Sequence, residues 1–215
     1  MNKKIRVILV DDHAVVRAGY KILLKNINYI NVIAEANNGE DAIALAREHK
    51  PDVIVMDISL PGINGIEAIR RIVLANHAIK ILVFTMHEEV VFVERALQAG
   101  AIGYMTKSTD PEILSKAIKS VSRGKKYIDN DLKEKMTYEY EHLREDNSLL
   151  SDLSAREFQI FCLLAEGKNT NDISKILNIS YKTAANYSSQ IKNKLHASTI
   201  ADIARIAIRH NIIKA

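Results

Sequence analysis

Val53-Ile54-Val55-Met56-Asp57-Ile58-Ser59-Leu60-Pro61-Gly62-Ile63-Asn64-Gly65 runs from four apolar residues into one carboxylate, then into a turn rich in Pro and Gly. An apolar run of this kind is expected where a strand is buried on both faces, as in the middle of a parallel sheet. Asp57 then stands at the carboxyl end of that strand, where open α/β sheets place their ligands.

Strand and helix signals alternate on both sides of this stretch. Upstream, Ile5–Val10 (IRVILV) reads as a buried strand ending in Asp11-Asp12. A helical pattern follows from Ala14 to Lys25, with Val16, Tyr20, Leu23 and Leu24 on one face. Asn31–Ala36 is a second strand, and Asn38-Gly39 turns into a helix that runs through Glu48 and is stopped by Pro51. Downstream, helix Ile66–Leu74 leads to strand Lys80–Phe84, which ends in Thr85. Helix Val90–Ala99 stops at Gly100, and strand Ile102–Thr106 ends in Lys107. Asp110-Pro111 supplies an N-cap with proline at the first helical position, opening a helix to about Arg123. This alternation predicts an α/β domain over residues 1–125, a doubly wound five-stranded parallel sheet.

Asp11, Asp12, Asp57, Thr85 and Lys107 each follow an apolar strand. The ends of parallel strands share one edge, so these five side chains are expected to converge on one crevice. Three carboxylates together repel one another unless a cation joins them, and an all-oxygen set of this size suits Mg²⁺. Lys107 and the Thr85 hydroxyl add a fixed charge and a donor suited to a phosphoryl oxygen. A carboxylate beside bound Mg²⁺ can attack phosphorus. One acid at a strand end is ordinarily a helix cap or a solvated loop group; the whole set at four strand ends argues against that reading. His13, at a helix N-terminus, reads as a solvated histidine.

The chain has 215 residues, 47% of them hydrophobic, which suits two domains with real cores. Its apolar runs are too short and too broken by charge to span a membrane. The N-terminus enters a strand at once, without the pattern of a signal peptide. The single cysteine, Cys162, sits in an apolar helical stretch and reads as a packed thiol. One cysteine excludes an internal disulfide and fits a reducing compartment, so a cytoplasmic location is expected. Charge is uneven. Residues 149–215 hold nine basic and five acidic side chains, which accounts for the whole net charge of +4. That asymmetry suggests a polyanion as partner of the last third.

Residues 126–148 are dense in charge and read as a linker, with a thin helical pattern from Leu132 to Leu143; Tyr127 and Ile128 are expected to pack on the first domain. Residues 149–215 predict an all-α domain of four helices. Ser154-Ala155-Arg156-Glu157 is a capping box that opens the first helix, with Phe158, Phe161, Cys162, Leu164 and Ala165 inward. Asn169 or Thr170 caps the second, Ser180 the third and Ser198 the fourth. The second and third helices, joined by a short turn at Asn178-Ile179-Ser180, form a helix-turn-helix unit. The outward face of the third helix carries Lys182, Ala185, Asn186, Ser189, Lys192 and Asn193. Lysines suit phosphates, and Asn and Ser can bond to base edges or backbone. A solvated face of an interaction module is the competing reading.

The pieces Val10-Asp11-Asp12-His13, Met56-Asp57-Ile58-Ser59-Leu60-Pro61-Gly62, Phe84-Thr85 and Gly103-Tyr104-Met105-Thr106-Lys107 resemble the receiver domain of two-component response regulators. The resemblance covers about residues 4–125 and implies a flavodoxin-like strand order. It implies that Asp57 accepts phosphate from a sensor histidine kinase. Asp12 and Asp57 would bind Mg²⁺ with support from Asp11 and the Ser59 carbonyl, Lys107 would contact the phosphoryl group, and Thr85 and Tyr104 would form the switch. His87, two residues after Thr85, either tunes loss of the phosphate or is a plain loop residue.

In the last third, Leu153-Ser154, Arg156-Glu157, Leu164-Ala165, Gly167, Asp172-Ile173-Ser174, Leu177, Lys182-Thr183, Ile191 and Lys194-Leu195 resemble the DNA-binding domain of NarL/FixJ (LuxR-type) regulators. The Arg17-Ala18-Gly19 run and the Ile-Arg-His-Asn tail are nearest the GacA and BvgA subgroup. The resemblance implies contacts to double-stranded promoter DNA by Lys182, Thr183, Ala185, Asn186, Ser189, Lys192 and Lys194. It also implies a homodimer on DNA through the last helix, Ser198–His210. Where many relatives carry Val, Lys and Val-His after the Lys-Thr pair, this chain has Ala184, Ala185, Asn186 and Tyr187, so its target sequence is not transferable.

The expectation is a transcription factor rather than an enzyme, since its phosphoryl chemistry is directed at itself. Competing readings are a flavodoxin-like cofactor protein, a hydrolase with Asp57 as nucleophile, and a receiver acting as a phosphorylation-independent interaction module. The first lacks a phosphate loop after the first strand; the second lacks a general-base carboxylate where Ser59 stands. The third is disfavoured by the complete set of acids, Thr85 and Lys107.

Overall fold

A computed structural model describes residues 3–142 and 148–213 of the chain. It divides into two compact units, residues 1–135 and 136–215. The first contains β1 (Ile5–Val10), α1 (Ala14–Lys25), β2 (Ile30–Ala36), α2 (Gly39–His49), β3 (Val53–Met56) and α3 (Gly65–Ala75). It continues with β4 (Lys80–Thr85), α4 (Val90–Gln98), β5 (Gly103–Thr106), α5 (Pro111–Ser122) and β6 (Tyr127–Ile128), and α6 (Asn130–His142) follows.

The strands form one parallel sheet in the order β2-β1-β3-β4-β5-β6. The expected doubly wound order is present, and a sixth strand extends it. Tyr127 and Ile128 pair with Gly103 and Tyr104 of β5, so the start of the segment read as a linker is part of the sheet. Two residues are too few for periodicity to reveal a strand. The helical pattern beyond it is α6; its expected last residue, Leu143, lies outside the described residues.

β3 is central, and all four of its residues are buried. On one face Val7, Leu9, Val53, Val55, Leu82, Phe84 and Met105 pack with Leu24 of α1 and Leu114, Ala117, Ile118 and Val121 of α5. Alternation turns Ile8, Ile54 and Ile81, each fully buried, to the other face. That face is left to α2, α3 and α4. Burial on both sides explains why β3 reads as a continuous apolar run.

Helix starts are chemically marked. The Asn38 side chain accepts from the Asp41 N–H, Asn64 from Glu67 and Asp110 from Glu112, satisfying donors that a helix N-terminus otherwise leaves open. Gly65 matters for a different reason. A Cβ there would lie 2.2 Å from the Asp57 carbonyl oxygen, so only glycine lets α3 begin against the strand end that carries Asp57.

The second unit contains α7 (Ser148–Ser151), α8 (Ala155–Ala165), α9 (Thr170–Ile176), α10 (Tyr181–Lys194) and α11 (Ile200–Arg209). Its core is built from Phe158, Ile160, Phe161, Ile173, Ala184, Ile191, Ile203 and Ala207. Ser154 caps α8 in a full capping box, Asn169 caps α9 in another, and Ser180 caps α10. The fourth main helix starts differently from expectation. Its N-cap is Thr199, not Ser198, because Asp202 three residues later completes the capping box with Thr199.

Ile54→Ala is expected to destabilise the first unit by about 2–5 kcal/mol, the range for removing a buried branched side chain. Denaturant unfolding followed by far-UV circular dichroism would show one transition shifted and the other unmoved. Asp202 gives a pH signature in the second unit. Hydrogen bonds from the Thr199 side chain and backbone, then from Arg205, hold its carboxyl down at about 2. A depressed carboxylate contributes stability above its unfolded pKa and loses it as pH falls through the folded value. The difference in thermal midpoint between wild type and Asp202→Asn should therefore narrow as pH is lowered from about 4 towards about 2.

Candidate functional site

The register of the sheet sets the site. Val10 lies beside Met56 and Thr85 beside Thr106. The next residues continue this alignment: the Asp57 N–H donates to the Val10 carbonyl at 2.9 Å, and the Lys107 N–H to the Thr85 carbonyl at 2.8 Å. The ends of β1, β3, β4 and β5 thus form one edge, and β1/β3 is the point where the strand order reverses. Open α/β sheets bind ligands at that point.

Asp57 is 3% exposed. The Lys107 ammonium reaches over from β5 to pair with an Asp57 carboxylate oxygen, and it lies 2.7 Å from Oδ2 of Asp11. Burial pulls the Lys107 pKa down, but hydrogen bonds and charge from Asp11 and Asp57 prevail and leave it above the ordinary value. The lysine is therefore a fixed cation. Carboxylate oxygens of Asp11, Asp12 and Asp57 and a ring nitrogen of His13 all lie within 4.8 Å of one another. Three carboxylates against one ammonium leave about two negative charges uncompensated, before any charge on His13 is counted. An oxygen-rich cluster with that residual charge is compatible with a divalent cation. The His13 side chain is 65% exposed, with Nδ1 2.7 Å from Asp12, as expected of a solvated histidine beside acids.

Thr85 supplies a second chemical signal. Its hydroxyl is fully buried and, among the described residues, is the buried side-chain polar atom without a hydrogen-bond partner. Such a group costs about 1–3 kcal/mol unless something takes its proton. An acceptor oxygen arriving at this edge would satisfy it. Ser59, two residues after Asp57, donates its N–H to Asp57 Oδ1 at 3.1 Å.

Tyr104 is completely buried, and its hydroxyl donates to the His87 carbonyl at 3.1 Å. Burial raises its pKa far above the usual phenol value, with help from the Glu89 and Asp57 charges, so it stays a neutral donor. His87 is more than a plain loop residue. Nε2 is 2.9 Å from the Ser59 hydroxyl, Nδ1 is 3.5 Å from Glu89, and the ring stacks on Phe92. The loops after β3 and β4 are joined through that ring.

Sequence reading missed three supporting residues. Glu40 of α2 accepts the Ile63 N–H at 3.0 Å and so holds the loop after Asp57. Arg17 of α1 donates to the Asp11 carbonyl at 2.6 Å. Glu89 positions His87. Glu40 reaches a loop distant in sequence, which no local pattern marks; Arg17 and Glu89 bond to near neighbours, but their residue types alone do not single them out.

In the second unit, Lys182, Asn186 and Ser189 are placed on α10 with Ala185 and Lys192 beside them, on the side turned from the core. The Thr183 hydroxyl is 2.8 Å from the Ser180 hydroxyl and belongs to the helix cap. Lys194 stands apart from the rest. Its ammonium donates to the buried Glu157 carboxylate at 2.8 Å and to the Asp152 carbonyl at 3.1 Å, tying the end of α10 to the start of α8. Burial raises the Glu157 pKa, but its bonds from Lys194 and Ser154 outweigh that and keep it below the ordinary value. Arg156 donates to the Leu177 carbonyl at 3.2 Å, pinning the turn between α9 and α10.

Comparison with known proteins identifies a family for each of the two domains. Residues 7–119 match the response regulator receiver domain, and residues 151–207 match the bacterial regulatory proteins of the luxR family. The chain is 38% identical to the response regulator UvrY of Escherichia coli K12 over 98% of its length and 97% of that protein. It is also 38% identical to the response regulator GacA of Pseudomonas aeruginosa, over 98% and 99% of the two chains. A solved structure of two RcsB dimers bound to two parallel DNAs is similar at 26% identity and a TM-score of 0.60, covering 95% of this chain and 98% of that one. Among the described residues no helix is long and apolar enough to cross a membrane. A receiver edge built on Asp57 and a luxR-type helix-turn-helix in one chain, with full-length likeness to UvrY and GacA, make this protein a member of the DNA-binding response regulators of two-component systems.

Proposed function

We propose that the protein is a cytoplasmic transcription factor whose DNA-binding domain, residues 149–215, is controlled by phosphorylation of Asp57 in the receiver, residues 1–125. The segment 126–148 connects them. The observation that carries this reading is the buried Asp57–Lys107–Asp11 arrangement beside the unpartnered Thr85 hydroxyl.

The phosphoryl donor is the phosphohistidine of a sensor kinase. An Asp57 carboxylate oxygen attacks phosphorus, the P–N bond breaks with its electron pair going to the imidazole, and an aspartyl phosphate forms. Asp11, Asp12, Asp57 and the Ser59 carbonyl would hold Mg²⁺. When bound, Mg²⁺ supplies neutralisation of negative charge on the transferring group. Lys107 moves its ammonium from the Asp57 oxygen to a phosphoryl oxygen, and the Thr85 hydroxyl donates to another. Tyr104, bonded to the His87 carbonyl, then reports the new position of the loop after β4. The chain acts on itself and is not an enzyme in the sense of turning over a separate substrate.

The output is binding to double-stranded promoter DNA. Lys182 and Lys192 contact phosphates, while Asn186, Ser189 and Ala185 face the base edges. Thr183 stays with the N-terminal turn of α10, and Lys194 supports the helix through Glu157 while lying near the backbone of the duplex. The dimeric, DNA-bound RcsB supports a homodimer on adjacent half-sites. α11 fits as its contact, since Ile200 and Ile208 on it are 46% and 38% exposed.

Acetyl phosphate or beryllofluoride with Mg²⁺ should shift wild type towards dimer and tighten promoter binding, and Asp57→Asn should not respond. Size-exclusion chromatography and fluorescence anisotropy read both; an Asp57→Asn chain that responds like wild type removes the phosphoacceptor assignment. Lys182→Ala combined with Lys192→Ala should lower affinity for all sequences alike. It should also flatten the salt dependence, by about 0.9 in log–log slope for each phosphate no longer neutralised. An unchanged slope would put the DNA interface elsewhere.

A further inference from the structure

The segment following β6 enters the phosphoryl-binding edge. Asp129 is only 8% exposed. Its Oδ2 accepts both the Thr106 N–H at 2.9 Å and the Thr109 hydroxyl at 2.7 Å. These two donors bracket Lys107 on the turn that follows β5. The turn is closed by the Thr109 N–H donating to the Thr106 carbonyl at 3.2 Å, and by contacts of the Thr106 hydroxyl with those of Ser108 and Thr109.

Asp129 faces the other way through its backbone. Its N–H donates to the Tyr104 carbonyl at 3.2 Å, and its carbonyl accepts from the Lys133 N–H at 3.0 Å in the first turn of α6. Lys135 of α6 pairs with Glu88 at 2.8 Å, and Glu88 accepts from the Ser108 hydroxyl at 3.1 Å. The start of α6 is therefore bonded to the loop that carries Lys107 and to the loop that follows Thr85.

We propose that Asp129 is a positioning residue for Lys107. It holds the Thr106–Thr109 turn, and with it the lysine ammonium, where a transferred phosphoryl group is received, and it ties α6 to the state of Asp57. The proposal rests on the reading of Asp57 as the phosphoacceptor. A lysine on a four-carbon stem is placed only as well as its Cα is placed. Thr106 is 5% exposed, so in the folded chain its N–H relies on a protein acceptor, which the Asp129 carboxylate supplies. When Lys107 leaves Asp57 for a phosphoryl oxygen, any movement of its backbone passes through Asp129 into α6. By reciprocity, loosening α6 at Asp129 must then alter the phosphoryl chemistry. None of these contacts requires the negative charge of Asp129. An amide oxygen in the same place accepts the same two donors.

The test uses the full chain with Mg²⁺ and acetyl phosphate, in wild type, Asp129→Ala and Asp129→Asn. In the chemical step an Asp57 oxygen bonds to phosphorus, the bond from phosphorus to the acetyl oxygen breaks, and acetate leaves. Asp129→Ala should form the acyl phosphate about tenfold more slowly, less than the roughly hundredfold that a 1 Å misplacement can cost. Its α6 amides should exchange hydrogen faster before any phosphorylation. Asp129→Asn should stay within about twofold of wild type on both readouts, since the positioning geometry is kept. An Asp129→Ala chain that is modified at the wild-type rate overturns the proposal, as does an Asp129→Asn chain as slow as the alanine variant. If the alanine variant does not fold, Thr109→Val, which removes one of the two donors, carries the same test: slower modification supports the proposal, and the wild-type rate overturns it. A wild-type chain that is not modified at all removes the phosphoacceptor reading itself, and this proposal with it; unimpaired Asp129→Ala removes only the latter.

Discussion

A buried ammonium between two carboxylates is the interaction on which the first unit depends. Lys107 follows β5, passes the end of β4, and pairs with Asp57 just after β3 and Asp11 just after β1. Both carboxylates are nearly inaccessible to water. Removing one partner of such a group typically costs about 3–5 kcal/mol, because the remaining charge is left uncompensated. The pairing therefore ties three strand ends together while leaving net negative charge in place beside the buried Thr85 hydroxyl. A site held by its own cation is stable as it stands, yet still complementary to a metal ion and a phosphoryl group.

That edge is supported by parts of the chain that carry no chemistry themselves. Gly65 lets α3 start against the Asp57 carbonyl, Glu40 holds the following loop, and the His87 ring links that loop to the one after β4. Tyr104 donates to the His87 carbonyl, so the loop after β4 is bonded both to β5 and to Ser59.

The second unit solves a smaller problem with simpler means. Side chains mark where its helices start, and three of them begin with complete capping boxes. Lys194 shows how charge is divided in such a unit. It is one of the basic residues that give this region its positive balance, but its ammonium is bonded to Glu157 and to a backbone carbonyl. Lys182 and Lys192 lie on the face turned away from the core.

By itself the sequence determined the alternation of elements, the central place of β3, most helix caps and the convergence of Asp11, Asp12, Asp57, Thr85 and Lys107. These rest on local periodicity and on a rule that holds for every parallel sheet: strand ends share an edge. Only tertiary structure decided the rest. The two-residue β6, the contacts of Asp129 and the support from Glu40 depend on residues that meet across the fold. Thr199, not Ser198, caps α11 because of where Asp202 lies once the helix has formed. Whether Lys194 faces solvent or a buried carboxylate is likewise invisible in a helical repeat, since it is set by the neighbouring helix. A periodic pattern specifies which face of an element is apolar; it does not say which partner a single polar atom will find, and in this protein that is where the site's geometry resides.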